Sequence, residues 1–68
     1  MQTNDLHVIA LGHGFTMIRL NTKEGRAHVE KLATSRAGFQ ADTYTSAVSE
    51  AVAIAAAATD AGLRVRFN

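Results

Sequence analysis

The chain has no cysteine, no proline and no tryptophan, and only one tyrosine and three phenylalanines among its 68 residues. Without cysteine there is neither a disulfide framework nor a thiolate zinc site, the two staples small domains use most often. An excess of one charge sign is missing as well. Seven Lys and Arg oppose six Asp and Glu, for a net charge of +1, unlike a domain that grips nucleic acid mainly through its phosphates. Long apolar runs are also absent: the longest, Ala51 to Ala58, falls far short of the roughly 20 residues of a membrane-spanning helix. The opening residues Met1-Gln2-Thr3-Asn4-Asp5 lack the basic and apolar regions of a secretory signal, so a cytoplasmic location is expected.

What the chain does have is alanine. Hydrophobic residues make up 47% of the sequence, but Ala supplies 13 of them while Leu, Ile and Val together supply another 13. Alanine buries little area, and ordering each residue costs about 1 to 2 kcal/mol, so the core must be thin. A partner or a second copy would widen the margin. A homodimer through the weakly charged Ala53, Ala56 and Ala57 side of the last helix is therefore expected.

Periodicity divides the chain into short elements. Leu6 to Leu11 is apolar on both sides, as a buried strand would be. Gly12-His13-Gly14 then breaks the run and predicts a hairpin. In the next strand, Phe15 to Leu20, Thr16, Ile18 and Leu20 alternate with Phe15, Met17 and Arg19. Asn21 or Thr22 can cap a helix through Val29, Leu32 and Ala33, stopped by Ala37-Gly38. Gly25 opposes that reading, and the rival is a second hairpin through residues 21 to 25 into a strand Arg26 to Leu32. A short strand can occupy residues 38 to 44. The longest helical signal runs from Ser46 to Ala61 and ends at Gly62, with Ser46 and Ser49 as capping hydroxyls. Its periodicity predicts an inward stripe of Val48, Ala51, Val52, Ala55 and Ala58 opposite Ser46, Glu50, Ala53, Ala57 and Asp60. Leu63 to Phe67 alternates cleanly, with Leu63, Val65 and Phe67 inward and Arg64 and Arg66 outward.

The expected architecture is thus one α+β domain over residues 6–68, preceded by a loosely held segment 1–5. It has a three- or four-stranded, mainly antiparallel sheet with two helices on one face, in the order β-β-α-(β)-α-β.

Chemistry-bearing patterns are few. Gly12-His13-Gly14 lacks the third glycine of a dinucleotide fingerprint and the Gly-Lys-Ser/Thr of a P-loop, so its glycines read as turn residues. His7, His13 and His28 are dispersed, with neither a His-x-x-x-His pair nor a supporting carboxylate, and no metal or other cofactor is expected. Hydroxyls are plentiful but none has a nucleophile motif around it, and Glu24 and Glu30 do not form an acid/base pair. A domain this small has little room for a water-excluding cleft, so a non-enzyme is expected.

The positive feature is cationic. Arg64 and Arg66 share one side of the last strand, and Arg19, with Met17 and Phe15, would extend that side if the strands are neighbours; His13 is the exposed turn residue nearby. Such a surface can dock an acidic protein or neutralise and stack nucleic acid. The leading expectation is a small protein-binding module, an inhibitor, adaptor or regulator of the kind found among accessory proteins of bacteriophages and mobile elements. It would act through this outer face or an exposed strand edge, as a possible homodimer without membrane contact.

The alternative is a nucleic-acid-binding regulator. A strand over Phe15–Leu20, a helix through Val29 and Leu32, and a helix from Thr45 resemble the strand-helix-helix order of ribbon-helix-helix repressors, whose paired strands enter the major groove. The departures are Phe15 and Met17 on the side that should be polar, and two further strands.

Overall fold

A computed structural model describes residues 4–67. Its elements are β1 (Leu6–Gly12), β2 (Phe15–Leu20), α1 (Lys23–Leu32), β3 (Phe39–Gln40), β4 (Thr43–Ala47), α2 (Val48–Asp60) and β5 (Val65–Phe67), with a 3-10 turn at Arg36–Gly38 before β3. The class is α+β, as expected, but the sheet has five strands in the order β3-β4-β2-β1-β5 and is mixed. Consecutive strands joined by turns pair antiparallel, whereas β5 runs parallel to β1. The α2 crossover causes this, because a helix that carries the chain across the sheet returns it in the starting direction.

The β1–β2 hairpin forms where the glycines predict it. His13 and Gly14 connect the strands with φ of 55° and 82°, the left-handed pair that a tight hairpin turn needs. The register slips between Ala10 and Gly12, leaving Leu11 as a bulge.

Residues 23–32 are helical, so the second-hairpin alternative is excluded. Thr22 caps α1, its hydroxyl oxygen accepting from the Gly25 amide at 3.0 Å. Gly25 is there for space: a Cβ at this position would lie 2.5 Å from the Asp5 carbonyl oxygen. The helix buries Gly25 and Val29, while Leu32, expected inward, is 41% exposed.

Ser46 belongs to β4 and is buried there. Ala47 holds the N-cap position of α2 without a side-chain hydrogen bond, so neither serine caps the helix. At the other end Gly62, with φ of 87°, closes a Schellman motif: its amide donates to the Thr59 carbonyl and the Leu63 amide to the Ala58 carbonyl.

The buried stripe of α2 is Ala51, Ile54, Ala55 and Ala58: the three alanines face inward as expected, while Ile54 is buried in place of Val48 and Val52. Val48 and Val52 stand 44% and 58% exposed. Ile54 is the branched side chain of α2 that joins Leu6, Val8, Ile18, Leu20, Val29 and Tyr44 in the core.

Two polar clips fix the periphery. The Asp5 carboxylate accepts from the Thr22 hydroxyl at 2.6 Å and from the Arg64 amide at 2.9 Å, joining the segment before β1, the α1 cap and the approach to β5. Asp5 lies in the segment expected to be loosely held; residues 1–3 of that segment lie outside the described residues. The Glu50 carboxylate accepts from the Tyr44 hydroxyl at 2.6 Å and from the Thr34 amide and hydroxyl at 3.0 Å each.

Candidate binding face

Both helices pack on one side of the sheet, so the strands' alternation leaves the other side open. Leu6, Val8, Thr16, Ile18, Leu20, Tyr44 and Ser46 point to the helices and are buried. The opposite positions are His7 and Ile9 on β1, Phe15, Met17 and Arg19 on β2, Thr43, Thr45 and Ala47 on β4, and Arg66 on β5. β1, expected to be covered on both sides, is therefore covered on one.

The register sorts this face into rows across the strands. Thr43 is opposite Arg19, Arg19 opposite His7, and His7 opposite Arg66. With strands about 4.8 Å apart, the Arg19 and Arg66 backbones are separated by about 10 Å with an imidazole between. The next row places Thr45, Met17 and Ile9 side by side, and a third places Ala47 beside Phe15. Cations thus occupy one end of the face, half-buried aliphatics its middle, and the 53% exposed Phe15 the hairpin end.

The carboxylates are kept off the strands. None of the six acidic residues lies in a strand; Glu24, Glu30, Glu50 and Asp60 are helical, and Asp5 and Asp42 are in connections. The only charged residues within strands are Arg19 and Arg66. The one ion pair among the described residues, Arg26 with Glu30 at 3.2 Å, is on α1.

The six expected site residues separate into groups. Arg19, Met17, Phe15 and Arg66 share the open face, but β2 and β5 are not neighbours; β1 lies between and contributes His7 and Ile9, which sequence reasoning missed. The signal for them was present, since His7 and Ile9 alternate with Leu6 and Val8. Arg64, expected within the last strand, precedes β5 and is held by its backbone, its carbonyl accepting from the Asp5 and Leu6 amides at 2.8 and 3.1 Å. His13 is exposed at the hairpin tip, off the face.

The Thr22 hydroxyl and then the Arg64 amide hold Asp5 below the ordinary carboxylate range, with a further contribution from the Arg64 charge. Burial and then the Glu50 carboxylate push Tyr44 above the ordinary phenol value, while the Tyr44 hydroxyl and the Thr34 amide lower Glu50. The Nε2 atoms of His7 and His28 are shut from solvent without a hydrogen-bond partner.

On the helix side a shallow groove of about 290 Å³ is lined by Glu24, Ala27, His28, Lys31, Ala61 and Leu63. Among the described residues no three potential metal ligands come together, and no helix is long and apolar enough to cross a membrane. β2 is paired along both edges, to β1 and to β4, which leaves no edge for the intermolecular ribbon of a ribbon-helix-helix dimer. Comparison with family models, with curated proteins and with solved structures gave no match.

Proposed function

We propose that this chain is a non-enzymatic protein-binding module, an inhibitor, adaptor or regulator that captures an acidic protein on the open face of its sheet. One observation carries the reading: the strands hold Arg19 and Arg66 on the uncovered side and none of the chain's acidic residues. An acidic surface meets no carboxylate from the strands there, and Ile9, Met17 and Phe15 offer apolar area beside the guanidinium groups, the composition of an interface centre with an arginine rim.

Protein is favoured over nucleic acid by the middle of the face. Binding of single-stranded nucleic acid draws on aromatic platforms for the bases, and among the described residues the outward strand positions offer only Phe15 and the half-buried His7 ring, in different rows. Aliphatic Ile9 and Met17 suit protein side chains.

The test uses fluorescence anisotropy with two labelled probes, a synthetic peptide of glutamates and valines and a dT15 oligonucleotide. The peptide is expected to bind, to weaken as salt rises, and to weaken at least tenfold against Arg19→Glu with Arg66→Glu. Steeply salt-dependent binding of dT15 with no binding of the peptide would replace this reading by the nucleic-acid one.

A further inference from the structure

β5 is the terminal strand of the sheet, and among the described residues nothing pairs with its far edge. Its backbone orientation follows from its approach. The Arg64 carbonyl accepts from the Leu6 amide and the Arg64 amide donates to Asp5, so Arg64 turns both backbone groups toward β1. Along an extended chain these groups alternate sides, which turns the Val65 amide and carbonyl and the Phe67 amide to the open edge.

The side chains at this edge are unlike one another on its two sides. Arg66 ends the row that runs through Arg19 and His7, while Phe67, opposite the buried Val8, remains 64% exposed beside the half-buried Val65. A strand laid against β5 would cover Phe67 on the helix side and set its own side chain next to Arg66 on the other.

We infer that the free edge of β5 accepts an extended segment of a partner protein as a sixth strand, and that this segment alternates carboxylate with apolar side chains. The inference rests on the proposed function and names how the acidic partner is held: backbone hydrogen bonds supply affinity, and the Arg66 and Phe67 sides supply selectivity. A second copy is disfavoured: two β5 edges paired antiparallel about Val65 or Arg66 with their sheet faces aligned set Arg66 opposite Arg64 or Arg66, and like charges directly opposite are destabilising. At the opposite edge β3 offers only the two residues Phe39 and Gln40, and the turn before it lies so close to β4 that a Cβ on Gly38 would be 2.5 Å from the Thr45 carbonyl oxygen.

The experiment titrates the full chain into three fluorescein-labelled ten-residue peptides. One alternates Glu with Val, one is the same peptide N-methylated at every residue so that neither of its edges can donate, and one carries Lys in place of Glu. The first is expected to bind at least tenfold more tightly than the other two, and Phe67→Ala to weaken it severalfold. Arg66→Glu is expected to exchange the preference to the lysine peptide, which also shows that the variant is folded. Equal binding of the methylated peptide would overturn strand addition while leaving the acidic face as the site. Failure of both acidic peptides to bind would overturn the proposed function as well, and equal binding of the lysine peptide would overturn the charge selection.

Discussion

Gly25 stands in the first half of α1, where glycine costs roughly 0.5–1 kcal/mol relative to alanine. Propensity alone therefore predicts that Gly25→Ala stabilises. The close approach to Asp5 predicts the reverse, because the added Cβ meets main chain that is itself held, the Asp5 amide donating to the Arg64 carbonyl and the Asp5 carbonyl accepting from the Asn21 amide. A loss of about 1–3 kcal/mol is expected in urea denaturation, the range of an overpacked site. Ala41 is the converse case. It holds φ of 52° in the β3–β4 turn, a conformation costing a side chain about 1–2 kcal/mol. Ala41→Gly relieves that strain and returns part of the gain as chain entropy, so a net stabilisation of about 0.5–1 kcal/mol is expected by the same measurement.

The two carboxylate clips also set the pH dependence. Asp5 and Glu50 have folded values depressed below their unfolded ones. Their contribution is therefore full above the ordinary carboxylate range near about 4, and is lost as pH falls through the lower folded values. Tyr44 is raised; its contribution is full below about 10 and is lost as pH rises beyond it. Urea midpoints are expected to hold level between about pH 6 and 9 as far as these groups are concerned, and to fall on either side. Glu50→Gln should flatten part of the acid limb; an unchanged acid limb in that variant would show that Glu50 does not contribute to it.

At the scale of elements, legibility follows how local the deciding physics is. The β1–β2 hairpin and the Gly62 stop are written in adjacent residues, and the sequence is sufficient for them; the cap of α1 it narrows to Asn21 or Thr22. The rotation of α2 is not local. Val48, Val52 and Ile54 are all good core residues, and periodicity favoured the two valines; the helix turns Ile54 inward because of the sheet it lands on. Ile54→Ala is accordingly expected to cost about 2–5 kcal/mol, whereas Val52→Ala stays within about 0.5 kcal/mol, as at an exposed site. Equal losses at the two positions would contradict the orientation of the helix. The short strand expected within residues 38–44 is two strands, β3 and β4, for a related reason. β3 has two residues, and β4 ends at Ala47 where hydroxyl residues before a helix suggested caps. Their strand character comes from pairing with β2 and with each other.

For the whole molecule, the strand order decides what the candidate face is. The sequence pointed to Arg19, Phe15, Met17 and Arg66 as outward residues, and alternation alone was enough for that. It could not supply the insertion of β1 between β2 and β5, which places His7 and Ile9 at the centre of the face and aligns Arg19 with Arg66 in one row. Nor could it separate Arg64, whose backbone is engaged with Asp5, from its neighbour. The α2 crossover brings β5 beside β1, and so completes the row and leaves the β5 edge free. The segregation of acids onto helices and connections then follows from the element boundaries, which turn a nearly neutral chain into a molecule with one cationic, partly apolar side.

The most direct test maps where an acidic chain lands. In amide nuclear magnetic resonance spectra of the full chain titrated with the alternating glutamate–valine peptide, the largest shifts are expected at His7, Ile9, Met17, Arg19 and Val65 to Phe67, with the helix-side groove at Glu24, His28 and Lys31 unmoved. Shifts confined to that groove, or none at saturating peptide, would contradict the assignment of the open sheet face as the binding site.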